Sequence, residues 1–155
     1  MKRFYCVLFT VVYLFVFCGV SMGASLTPAP EGTFTIAVIP DTQRYLGPGS
    51  GREEERDTVI NPAFESRTAW LAANLETQRM VFISHMGDII DKNEPRQWRI
   101  ARACMDRIHG RIPYGLSVGN HDMVREKGDS RLFQRYFGAE RYTGEPWYGG
   151  TYAGH

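Results

Sequence analysis

The sequence has 155 residues, with 18 Lys and Arg against 17 Asp and Glu, and 43% hydrophobic and 23% charged side chains. These proportions belong to an ordinary globular chain and exclude a disordered segment, a collagen-like repeat and a coiled coil. Setting residues 1–23 aside removes Lys2 and Arg3 and leaves 16 basic against 17 acidic side chains, a formal charge of −1. Such a balance gives no electrostatic case for nucleic-acid binding.

At the N-terminus, Lys2 and Arg3 precede the apolar run Phe4 to Val20 and then the small residues Ser21, Gly23 and Ala24. This pattern is that of an export signal over residues 1–23, cleaved after Gly23 or Ala24 to release a periplasmic or secreted chain without stable membrane association. The apolar run is seventeen residues long, so an uncleaved N-terminal membrane anchor is the rival reading. Cys6 and Cys18 fall inside the signal. Only Cys104 remains in the mature chain, which rules out an internal disulfide and marks Cys104 as a small buried core residue.

Residues 24–32, with Pro28 and Pro30, form a linker, and the folded part begins at residue 33. Phe34 to Ile39 is predicted as a buried strand that Pro40 ends. Leu46 to Asp57 combines Gly47-Pro48-Gly49 with the charge run Arg52 to Asp57, a solvated loop. Asn61-Pro62 opens a helix predicted to reach about Gln78, with Phe64, Leu71 and Leu75 on its apolar face. Met80 to Ser84 is the second strand. Pro95 opens a second helix whose inner face carries Trp98, Ala101, Met105 and Ile108, and Gly110 ends it. Tyr114 to Val118 is the third strand, followed by a short helix over about Ser130 to Phe137 and a segment rich in Gly and aromatic residues, Gly144 to His155. The order strand, helix, strand, helix, strand implies parallel pairing, right-handed crossovers and an α/β architecture.

Polar residues follow each strand: Asp41-Thr42-Gln43, then Gly87-Asp88-Ile89-Ile90-Asp91, then Gly119-Asn120-His121-Asp122. Parallel strands bring all three groups to one sheet edge, where open α/β sheets place ligands. Carboxylates at Asp41 and Asp88, an amide oxygen at Asn120 and the imidazole of His121 suit divalent cations, whose charge would relieve the repulsion between converging carboxylates. Gly87 and Gly119 would let the main chain approach the ions. One carboxylate shared by two ions is the arrangement that serves phosphoryl transfer.

These motifs resemble those of the calcineurin-like metallophosphoesterases: Asp-x-His, Gly-Asp-x-x-Asp and Gly-Asn-His-Asp or Glu, matched here from about Thr33 to Asp122. Pro40-Asp41-Thr42-Gln43 is similar to the first motif of an exported bacterial branch. The resemblance implies a βαβαβ half of an αββα sandwich and a site for two divalent metal ions, Mn, Mg, Fe or Zn. Asp41 would bind one ion, Asp88 would bridge both and Asn120 would bind the second. His121 would protonate or stabilise the leaving oxygen and Asp91 would orient His121. The implied reaction is hydrolysis of a phosphate-ester substrate by a metal-bound hydroxide.

Two departures from the family pattern matter. Gln43 stands where most of the family has a metal-binding His and offers an amide oxygen, which favours Mg or Mn over Zn. The sequence also stops at His155, before the family's later Gly-His-x-His motif, so residues 33–155 are expected to be the N-terminal part of a truncated domain. The alternative function is a non-catalytic metal-binding or interaction domain. His85 is expected to be a packing histidine or one that supports the ligands from behind, and Trp147 and Tyr148 to line a groove or fold into missing structure.

Overall fold

A computed structural model describes residues 26–50, 58–124 and 128–150. The expected signal, the charge run from Arg52 to Asp57, and His155 lie outside the described residues. The first strand, β1 (Thr35–Ile39), surrounds Ala37 with β-branched residues that favour extended backbone, and Pro40, which lacks an N–H, follows its end. In α1 (Pro62–Asn74), the side chain of Asn61 accepts from the Phe64 N–H at 3.1 Å. The helix ends four residues before the expected Gln78. Hydrogen-bonded turns continue past its end, with the Gln78 N–H donating to the Asn74 carbonyl at 3.0 Å, until Arg79, in the left-handed region at φ 48°, stops the right-handed path and the Met80 N–H donates to the Leu75 carbonyl at 2.8 Å.

The strand β2 (Met80–His85) leads to α2 (Pro95–Asp106), after which Gly110 turns the chain at φ 70° into β3 (Tyr114–Leu116). Ending at Leu116 rather than the expected Val118, β3 stops opposite His85, where β2 itself stops and no further ladder partner exists. A third helix, α3 (Arg131–Phe137), follows. Trp98 of α2 is fully buried, with Phe133 and Phe137 of α3 edge-on to it at ring-centroid distances of 6.0 and 6.1 Å. Trp147 packs against Tyr114 and Tyr142 on the β3 side of the core. Cys104 is buried as expected, and burial pushes its thiol pKa up to about 11, which leaves it protonated at neutral pH.

The protein is thus a mixed α/β chain with a small parallel sheet in the order β1-β2-β3. Ile39 pairs with His85, and His85 with Leu116. Crossovers of one hand between neighbouring strands laid down in chain order bring every connecting helix to the same face. Ile39, Ile83, His85 and Tyr114 are accordingly buried on that face. The opposite face is open, with Ile36 55% and Val38 58% exposed, and Phe34 and Met86 continue it at the strand ends. The expectation of a fully buried first strand is therefore corrected, because its alternate residues have no layer against them. Among the described residues no helix is long and apolar enough to cross a membrane.

An apolar sheet face of this kind favours association. Residues 24–155 expressed alone are expected to bind a hydrophobic dye and to melt broadly, and Ile36→Thr with Val38→Thr should lower dye binding. A monodisperse monomer with a sharp transition and no dye binding would contradict this account.

Candidate metal centre

Parallel pairing starts the loops after β1, β2 and β3 side by side at one edge. Asp41 is exposed at the end of β1. Its Oδ1 accepts from the Gln43 main-chain N–H at 2.8 Å and its Oδ2 from Gln43 Nε2 at 2.5 Å. An amide oxygen turned onto a carboxylate would repel it, so Gln43 meets Asp41 with its NH2 group.

Asp88 is held at φ 48°, a left-handed conformation that costs a non-glycine residue about 1–3 kcal/mol and persists only when its surroundings impose it. Its carbonyl accepts from the Thr42 N–H at 3.1 Å, and its Oδ1 accepts from the His121 N–H at 3.0 Å. The next two amides, of Ile89 and Ile90, both donate to Asp122 Oδ1, at 2.9 and 3.1 Å. Asp122 Oδ2 accepts from the Gly119 N–H at 2.9 Å, so this one buried carboxylate ties the second loop to the third. Burial pushes its pKa up, and the three amide donors oppose the rise.

The glycines of the two motifs have a direct geometric role. A Cβ at Gly119 would stand 2.2 Å from Asp88 Oδ1, and one at Gly87 would stand 2.8 Å from the Gly119 nitrogen. They let the loops approach each other. Asn120 lies exposed between Gly119, whose backbone abuts Asp88, and His121, whose N–H bonds to it.

His121 Nδ1 is 2.8 Å from the Asp91 carbonyl oxygen and 3.9 Å from Asp91 Oδ1. A carbonyl only accepts, so Nδ1 carries the hydrogen, and the Asp91 main chain rather than its carboxylate makes the short contact. Gln97 of α2, fully buried, accepts from the Asp91 and Lys92 amides at 2.7 and 2.9 Å and fixes this stretch of loop.

Asp88, His121 and Asp91 therefore form one hydrogen-bonded group, which Asp41 joins through its neighbour Thr42. Among the described residues no three His, Cys, Asp or Glu side chains form a group that could hold a metal ion. The candidate set is instead two carboxylates with the amides of Asn120 and Gln43, an oxygen donor set of the kind hard divalent cations take. Thr42, Asn61, Gln97 and Asp122 were not singled out from the sequence as parts of the site. The available signal was that Thr42 and Asp122 lie inside the motifs at positions left without a role.

The chain matches no known family model and no solved structure. It is 36% identical over 127 residues to YvnB of Bacillus subtilis (strain 168), an uncharacterized protein. The match covers 81% of this chain and 9% of that relative, so the chain spans a small part of the length of the protein it matches.

His85 is fully buried behind the site, and desolvation lowers its pKa from 6.5 to about 4. An unfolded chain takes up this proton below about pH 6.5, whereas the folded chain resists it until about pH 4. Stability should therefore fall as pH drops through that window, by roughly 3 kcal/mol from this group at about 1.36 kcal/mol per pH unit. Urea titrations at pH 7 and pH 4.5 should show the loss, and His85→Gln should flatten it. Gly119→Ala should cost about 1–3 kcal/mol through overpacking against Asp88, read as a lower melting temperature.

Proposed function

We propose that the chain is part of an exported, metal-dependent phosphoesterase of the calcineurin-like type, with its three-strand unit contributing to an αββα sandwich. The observation that carries this reading is the strained Asp88, fastened by hydrogen bonds to both the loop bearing Asp41 and the loop bearing Asn120 and His121. Strain held in place by surrounding bonds points to a functional group. The basis for export is the pattern of residues 1–23 alone.

Asp41 would hold one divalent ion and Asp88 would lie between two, with Asn120 on the second. Gln43 would serve as a ligand only if its amide turned from its present bond to Asp41. When bound, the ions supply Lewis acidity and a nucleophilic water near neutral pH. With Nδ1 held by the Asp91 carbonyl, His121 would use Nε2 for proton transfer to the leaving oxygen. Beyond Asp91 and Asp122, Asn93, Val124, Asp129, Arg131 and Arg135 line a cavity of about 410 Å³, in which Arg131 is paired with Asp129 at 2.6 Å and Arg135 adds a guanidinium that suits an anionic ester.

Turnover of a chromogenic phosphomonoester and a phosphodiester, with and without Mn or Mg, tests the proposal on the protein carrying the complete domain. Metal-dependent hydrolysis of at least one is expected, and none under any metal would sink the reading. His121→Ala should leave metal binding largely intact and lower turnover by about 10² to 10⁴, the usual range for losing a general acid. Asp88→Asn should abolish binding at both positions, and equal metal loss in the two variants would show His121 to be wrongly assigned.

A second reading, a non-catalytic metal-binding or interaction domain, is favoured by Gln43, which meets Asp41 with its amide nitrogen and leaves a partial site. Calorimetry separates the two. Near two ions per chain supports the enzyme, and one weak ion or none supports the binding domain.

A further inference from the structure

Thr42 stands between Asp41 and Gln43, yet it is only 2% exposed and every polar group it has is engaged. Its N–H donates to the Asp88 carbonyl at 3.1 Å, its carbonyl accepts from Asn61 Nδ2 at 2.6 Å, and its hydroxyl donates to the Ile89 carbonyl at 2.9 Å. The hydroxyl has one hydrogen and the Ile89 carbonyl can only accept. His85 Nε2, 3.0 Å from the same Oγ1, must therefore carry a hydrogen and donate it. On the other side of the ring, the Gly87 N–H donates to His85 Nδ1 at 3.2 Å, so that nitrogen is bare. A single neutral tautomer satisfies both bonds.

The geometry points to His85 and Thr42 as a positioning pair that sets the separation of the Asp41 and Asp88 carboxylates and thereby the affinity of the site for a divalent cation. His85 ends β2, so the sheet fixes its place. Its two nitrogens hold the residue after Asp41 and the residue before Asp88. The ring is fully buried, with Phe64 of α1 edge-on to it at 5.5 Å, and has no room to swing away. Neither residue touches the ion or the substrate. The inference rests on the metal reading of this site and adds the pair that would make its two carboxylates act together. A histidine that only filled space here would be replaceable by an aromatic ring, whereas one that latches two loops would not.

The test uses the full chain and Mn²⁺ alone as the probe, with free Mn²⁺ read by electron paramagnetic resonance. Thr42→Val and His85→Phe should each weaken Mn²⁺ binding by about 10- to 100-fold, the usual effect of removing a partner that orients a ligand. Thr42→Ser, which keeps the hydroxyl, should stay close to the parent. The double variant should lose less than the product of the two single losses, because both remove one shared interaction. Nitrogen-15 NMR of the unaltered chain should show His85 as the Nε2–H tautomer, a readout that holds even where a variant fails to fold. Mn²⁺ affinity unchanged in Thr42→Val and His85→Phe, whatever their melting temperatures, would overturn the inference while leaving the metal site standing, as would the Nδ1–H tautomer. A parent chain that takes up no Mn²⁺ would remove the metal reading and this inference with it.

Discussion

The carboxylate of Asp122 is buried at the junction of two loops and accepts three main-chain hydrogen bonds, two from the loop after β2 and one from the loop after β3. Ile89 and Ile90 are themselves fully buried, so their amides would otherwise be enclosed without a partner, at about 1–3 kcal/mol each. An acceptor-only side chain with two oxygens answers three such donors at once, and no apolar residue could. With those amides fixed, the backbone of Asp88 is drawn into a conformation it would not choose alone, and its side chain comes against His121. The edge of the sheet owes its order to this clamp more than to the strands, which end before the loops begin.

Topology explains the shape around that edge. Strands laid in chain order and joined by helices of one hand give a structure with helices on one side only. The covered side carries the apolar core around Trp98, Met105 and Ile108, while Ile36 and Val38 look outward from the other. The three loops lie at the carboxyl end of the sheet, between a packed layer and an open one. Loop positions such as Asp91 and Lys92 are tied to the packed layer through the buried side chain of Gln97.

The glycines of the two motifs show how one residue type can be read correctly for an incomplete reason. From the sequence, Gly87 and Gly119 suggest close approach of the main chain to a ligand. The distances show that each is required first by the opposing loop, with Asp88 and Gly119 standing where a Cβ would go. Gln43 is a similar case. Its position in the motif suggests an oxygen ligand, but beside an unneutralised carboxylate the nitrogen end of the amide is the favourable one, and Gln43 secures Asp41.

Local physics determined the elements without help from the rest of the chain. Asn61 and Pro62 start a helix, Pro40 stops a strand, and the β-branched stretch around Ala37 extends, because capping, a missing N–H and side-chain crowding act within a few residues. The parallel order and the gathering of Asp41, Asp88, Asn120 and His121 at one edge followed from the alternation of strands and helices. Only the tertiary structure decided that Thr42 would face inward to His85, that Asp122 would bridge two loops, and that His121 would meet the carbonyl rather than the carboxylate of Asp91. These contacts join residues about thirty to forty-three positions apart in the chain, and each depends on which buried donor is left needing an acceptor once the layers have closed, a quantity that no local stretch of sequence contains.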